Sequence, residues 1–271
     1  MALEKTKKID GFAAYAPEVA RKNDGFECES FMALYEIEEG NFWFRARNKL
    51  ILSLIQKYNL HGAAYLEIGC GTGYVLHAIE ETFPGMKCFG SEIYTEGLKY
   101  TKKRIKRAEL IQMDATRMPF QNKFNLVGAY DVIEHIENDG LVLNQVYNAL
   151  VPGGNFLITV PQHRFLWSPA DDYACHKRRY TKVELKKKLQ AAGFDIRMTC
   201  SYTSLLFPLM LISRLRMKNK EYNMASEFEI PKWLNKLLEI ILNIEIFLTL
   251  GGIHFPFGGS LVVVARKKEK P

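Results

Sequence analysis

The sequence has no C-x-x-C pair. Its five cysteines, at positions 28, 70, 88, 175 and 200, are dispersed and odd in number, which argues against a disulfide framework and against a zinc site. The opening MALEKTKKIDG lacks the apolar stretch of a secretory leader, so the expected setting is reducing and cytoplasmic. Long apolar runs are also scarce. The 20 residues from Ile246 to Ala265 carry no formal charge, but glycine pairs at 251–252 and 258–259 and Pro256 interrupt them. They read as a helix end, a turn and a strand rather than a membrane span. No basic stretch alternates with aromatics, and no nucleic-acid-binding appendage stands out, so nucleic acid is not an expected partner.

What is present is an ordinary globular composition: 271 residues, 48% apolar, 25% charged and 12% aromatic. One α/β catalytic domain with appended helices suits that length. The formal charge of +7 is spread over separate clusters, at Lys102–Arg107, Lys177–Arg179, Lys186–Lys188 and Lys267–Lys270, which read as solvated surface.

From Ala64 to Val160 short apolar runs alternate with helical patterns, the signature of βαβ units. Strands are expected at 65–68, 87–90, 109–112, 124–129 and 155–160, with helices at 74–82, 96–107 and 140–150. The last of these helices stops at Pro152-Gly153-Gly154. Ahead of this core, residues 30–58 read as two helices broken at Gly40-Asn41. After it come a helix at 182–192, strands at 194–200 and 260–265, and helical stretches at 205–216 and 231–250. The division expected is a helical N-terminal cap over 1–60 and a catalytic domain over 61–271, with a helical insertion at about 202–257.

The segment LEIGCGTGY, residues 66–74, stands where the first strand turns into the first helix. A dinucleotide fingerprint, G-x-G-x-x-G, needs glycine at 74, where this chain has tyrosine, and the third glycine falls at 73. The spacing E-x-G-x-G-x-G resembles motif I of the class I S-adenosylmethionine-dependent methyltransferases. Glu92, ending the second strand in FGSEI, stands where an acid would take ribose hydroxyls. The Asp114-Ala115 pair in LIQMDATRMPF matches the family's contact to adenine. FNLVGAYDVIEHI and LVPGGNFLITVP match its fourth and fifth strands, and the resemblance covers residues 64–161. It implies a Rossmann-like, doubly wound sheet of seven strands, mostly parallel with the last antiparallel, and S-adenosylmethionine as cofactor, released as S-adenosylhomocysteine. Glu67, Gly69, Cys70, Gly71, Gly73, Glu92, Ile93, Asp114, Ala115 and Tyr130 are the residues implied to hold it. An NAD-dependent oxidoreductase or epimerase is disfavoured by Tyr74 and by the early acid Glu67. A non-catalytic S-adenosylmethionine-binding protein remains as the alternative.

Methyl transfer is an in-line displacement, so positioning dominates and a base is needed only where the acceptor must lose a proton. His135, in DVIEH, and His163, after the fifth strand, are the candidate bases. The EH pair also resembles quinone-biosynthesis O-methyltransferases, in which similar acids and a histidine hold a divalent cation, but no metal is expected here. The polar, aromatic loop 160–181 suggests acceptor binding through Trp167, His176, Arg178 and Arg179. Arg45 and Arg47 are further candidates to reach the cofactor carboxylate or the acceptor. YDVIEH is not the Asn/Asp-Pro-Pro-aromatic motif of nucleic-acid amino methylation, so a small-molecule acceptor is expected. The apolar helices allow a hydrophobic or isoprenoid-bearing one, with peripheral membrane contact.

Overall fold

The computed structural model describes residues 7–22, 28–217 and 228–269. The part of the expected insertion at 218–227, and Lys270, lie outside the described residues. The strands are β1 (Lys7–Ile9), β2 (Phe12–Ala14), β3 (Ala64–Ile68), β4 (Lys87–Glu92), β5 (Glu109–Gln112), β6 (Phe124–Tyr130), β7 (Leu150–Pro161), β8 (Phe194–Tyr202) and β9 (Ser260–Lys267). They form one sheet in the order β1-β2-β5-β4-β3-β6-β7-β9-β8. From β2 through β7 neighbours run parallel, while β9 is antiparallel to both β7 and β8.

All seven expected strands are present. The two extra ones are a hairpin that closes at Asp10-Gly11, both with positive φ, the dipeptide that a tight hairpin turn favours. Its second strand adds to β5, and the Gln112 side chain both accepts from and donates to the Ala16 backbone. Among the described residues the first helices are α1 (Cys28–Ile37) and α2 (Phe42–Lys57), whose N-terminus Asn41 caps through its side chain. The Pro152-Gly153-Gly154 stop lies within β7, which starts at Leu150; the pairing with β6 shifts register there.

Alternation along the strands sorts the core into two faces. Leu66, Ile68, Phe156, Ile158 and Val160 pack with Val142 and Val146 of α5 (Asp139–Ala149) and Leu185 and Leu189 of α7 (Lys182–Ala191). Tyr65, Leu157, Val262 and Val264 face the other way, onto α2, α3 (Tyr74–Thr82), Leu98 of α4 (Thr95–Arg104) and Leu242 and Ile246 of α9 (Lys232–Leu250). The remaining helices are α6 (Pro169–Tyr173) and α8 (Phe207–Met217). Among the described residues no helix is long and apolar enough to cross a membrane.

Because β4 and β5 lie to one side of β3 and β6 and β7 to the other, the winding reverses between β3 and β6. Ligands in open α/β sheets bind beyond the carboxyl ends of the strands at such a point.

Candidate active site

A cavity of about 480 Å³ opens there, lined by the loops after β3, β4, β5 and β6 and roofed by Phe31, Leu34, Glu38, Phe44 and Arg47 of the cap. Gly69, Gly71 and Gly73 all have φ between 54 and 79°, a region in which an L side chain is strained. Their roles differ. A Cβ at Gly69 would stand 2.7 Å from Val132, and one at Gly73 would stand 2.6 Å from Thr101, whereas one at Gly71 meets nothing within 4 Å. Gly71 is thus the glycine that opens onto the cavity, while Gly69 and Gly73 are required by packing. Gly73 is also the one expected cofactor residue that does not line the cavity; it caps α3.

Besides Glu38 and Asp131, three acids at the strand ends face this space. Glu67, at the end of β3, is buried and accepts a hydrogen bond from the Tyr65 hydroxyl at 3.0 Å. Burial pushes its carboxyl up to about 8. Glu92 accepts from the Gly71 and Ile93 amides at 3.1 and 2.8 Å, tying the glycine loop to the end of β4, and burial raises its carboxyl too. Asp114 accepts from the amide and hydroxyl of Thr116, an Asx turn that presents Met113, Asp114 and Ala115 to the cavity. Carboxylates beside apolar Ile93, Met113 and Ala115 suit a ligand that joins an ammonium and hydroxyls to a flat ring. Cys70 and Tyr130 line the same space, and burial holds the Cys70 thiol and the Tyr130 phenol protonated.

The cap is locked onto the glycine loop by a buried cluster that the sequence did not disclose. Glu38, in the turn just after α1, accepts from the Thr72 hydroxyl and from Arg104 of α4, and the Arg104 guanidinium lies 4.1 Å from the Tyr35 ring. A second lock is the ion pair of Arg47 with Asp131, beside the cavity, with Trp43 stacked on the guanidinium at 4.4 Å. Arg45, by contrast, turns away to Glu239 of α9.

His135 lines the cavity, in a short 3-10 turn after β6. Burial, together with the His176 ring 4.7 Å away, lowers its pKa to about 4. His163 does not line the cavity; it sits at φ 64° after β7, stacked between Phe165 and Phe257. The loop after β7 does reach the site, but through Cys175 and Lys177. The expected acceptor-binding residues are engaged elsewhere. Trp167 donates its indole N–H to Asp172, and Arg178 pairs with Asp139. His176 and Arg179 both bind Asp171, the arginine through two nitrogens. Periodicity could not separate these neighbours; the buried acids Asp139 and Asp171 decide which side chains turn inward.

Glu134, His135 and His176 each bring one ligand atom within 4.8 Å of the others, a set a divalent cation could use. Only His135 of the three lines the cavity.

Residues 40–198, more than half of the chain, match the methyltransferase domain family. A protein of Mycolicibacterium smegmatis named a probable S-adenosylmethionine-dependent methyltransferase is 26% identical over 59% of this chain and 62% of its own length. A fatty-acid O-methyltransferase of the same organism is 27% identical over 55% of each chain. The chain thus spans little more than half the length of these curated relatives. Phosphoethanolamine N-methyltransferase 2 of Haemonchus contortus, solved in complex with S-adenosyl-L-methionine, shares the fold with a TM-score of 0.52 over 77% of this chain and 49% of that one, at 21% identity. Taken with the reversed sheet, the Gly71 opening and the acids around it, these matches show that the chain belongs to the methyltransferase domain family, with the class I fold.

Proposed function

We propose that this protein transfers a methyl group from S-adenosylmethionine to an acidic oxygen of a small molecule with an apolar body. The cofactor supplies an electrophilic methyl group on a sulfonium centre. Glu67 would hold its ammonium, Glu92 its ribose hydroxyls, and Asp114 with Ala115 its adenine. Gly71 leaves room for it, and the Arg47–Asp131 pair fixes the cap above.

One observation carries the choice of acceptor: the histidine facing the cavity is a weak base, at about 4, while a cation, Lys177, faces the same space. A carboxylate has no proton to lose at neutral pH and would be drawn by the ammonium. Phe31, Leu34 and Ile136 supply an apolar wall. The fatty-acid O-methyltransferase relative points to the same acceptor class. His135 then orients rather than deprotonates, and His163, outside the cavity, has no part in the transfer.

The test is release of S-adenosylhomocysteine with medium-chain and long-chain carboxylic acids, against phenols of matching size. With the donor saturating at every pH, turnover of the acids should be flat from about pH 6 to 8, and His135→Ala should cost less than about tenfold, below a general base's usual contribution. A marked preference for phenols, lost in His135→Ala, would overturn this reading and restore His135 as a base.

Glu67 makes donor binding pH-dependent. Its carboxyl is largely protonated at neutral pH in the free protein, and a bound ammonium favours the ionised form, so binding releases a proton. S-adenosylhomocysteine affinity should rise with pH, by at most about tenfold per unit, and level off above about pH 8. Titration calorimetry across that range checks this; Glu67→Gln should flatten the dependence.

The transfer is proposed to run without a metal ion, since Glu134 and His176 lie off the cavity lining. EDTA should leave turnover unchanged. Loss of turnover restored by magnesium would assign the Glu134, His135 and His176 group to a cation.

A further inference from the structure

The outer face of α9 is a broad apolar surface with nothing packed on it among the described residues. Trp233, Leu237, Ile240, Ile244 and Phe247 recur at alternating spacings of four and three, so they share one stripe of the helix. All five are exposed, Trp233 at 68% and Phe247 at 76%. The opposite stripe is core, with Leu242, Ile246 and Thr249 buried.

Charge follows the same division. Both acids of α9 are turned away from the outer face: Glu239 binds Arg45 of α2, and Glu245 is buried, accepting the Ser204 and Leu205 amides. Both lysines, Lys232 and Lys236, are exposed, and Lys236 lies 3.5 Å from Glu239. Along the flank, α2 adds Lys49 and Lys57, bonded to Asn243 and to the Leu250 carbonyl of α9. Glu229 is the one exposed acid among the described residues from 228 to 250.

We infer that this face docks on an anionic lipid surface, with α9 lying in the interface and its aromatic ends inserted. An apolar stripe with lysines along one flank is the pattern of an interfacial amphipathic helix. A second copy suits the face less well, because an isologous contact would set the same lysines near one another, on chains that each carry a formal charge of +7. Further exposed apolar side chains stand off the helix: Ile253 and Phe257 in the loop after it and Leu209 on α8. That spread fits a fluid surface better than a helix-sized groove. The inference rests on α9 and not on the acceptor proposed above, so either can fail alone.

The experiment is co-sedimentation of the full chain with phosphatidylcholine vesicles and with vesicles in which part of that lipid is replaced by phosphatidylglycerol. Binding should require phosphatidylglycerol and weaken with salt. Replacing Trp233 and Phe247 together by serine should lower partitioning by about tenfold or more, as expected for lost insertion of two aromatics. Lys232→Glu with Lys236→Glu should abolish the preference for anionic lipid. Both pairs are exposed, so melting temperatures should hold. Absence of vesicle binding by the wild-type chain would overturn the inference. So would a dimer, seen by light scattering and dissociated by Ile240→Glu, that ignores vesicles, since the face would then belong to a second copy.

Discussion

Gly71→Arg is expected to abolish S-adenosylhomocysteine binding while leaving the protein folded. A Cβ at this position meets nothing within 4 Å, so branching from the backbone is sterically free there, and because Gly71 lines the cavity a long charged side chain is expected to compete with the donor for that space. The backbone, at φ 54°, carries a local strain of about 1 to 2 kcal/mol for a non-glycine residue. Affinity should fall by more than about a hundredfold, equivalent to about 3 kcal/mol. Calorimetry and a thermal melt on the same sample check both halves. Gly69→Val should behave in the opposite way. Its Cβ would overlap Val132 at 2.7 Å, so it should lower the melting temperature. If Gly71→Arg unfolded the chain, or bound product like the wild type, the assignment of Gly71 to the donor cavity would be wrong.

Asp171→Ala should be the most destabilising single substitution in the loop after β7. Asp171 is 1% exposed and accepts from the Nε and Nη2 of Arg179, from His176, and from the amide and hydroxyl of Ser168. Removing it leaves a buried guanidinium without its counter-charge, which costs about 3 to 5 kcal/mol. Adding Arg179→Met should recover part of that loss, because the orphaned charge is then gone. The pH dependence follows from the hydrogen bond to His176 and the pairing with Arg179, which hold the Asp171 carboxyl down at about 2, below its ordinary 3.8. A group depressed in the folded state stabilises fully above its unfolded pKa, and that contribution is lost as pH falls through the folded value. The wild type should therefore lose this contribution between about pH 4 and pH 2, and Asp171→Ala should lack that part of the acid transition. Urea titrations at stepped pH measure it.

Much of the fold was legible because local pattern and tertiary demand agree there. β3 through β7 are the short apolar runs that a buried parallel strand requires, and α3 spans the residues expected of it, since Tyr74 follows the glycine at its N-cap. The hairpin at 7–14 carried its own signal in Asp10-Gly11, but each strand is three residues long, too short for alternation to show. The start of β7 misled for a related reason. Pro-Gly-Gly stops a helix, and here it does, but the sheet resumes pairing at once, with Gly153 at positive φ.

The site divides along the same line. That Glu67, Gly71, Glu92 and Asp114 meet at one cavity was readable, since each sits at the carboxyl end of a strand or in the turn after it, and parallel winding carries those ends to one edge of the sheet. The acceptor half was not. Within the run from His176 to Arg179, four adjacent polar residues look alike in sequence, and only the positions of Asp139 and Asp171 determine that three are drawn inward and Lys177 faces the cavity. The cap was likewise legible as helices but not as a lid, because Glu38 reaches Arg104 and Thr72, and Arg47 reaches Asp131, across long spans of chain. Sequence alone determined the seven-stranded core of the sheet and its glycine loop, since these depend on residue type at fixed local spacing. Which charges are neutralised in the interior and which remain to meet a ligand was decided only by tertiary structure, because a buried charge is governed by whichever partner the fold brings to it.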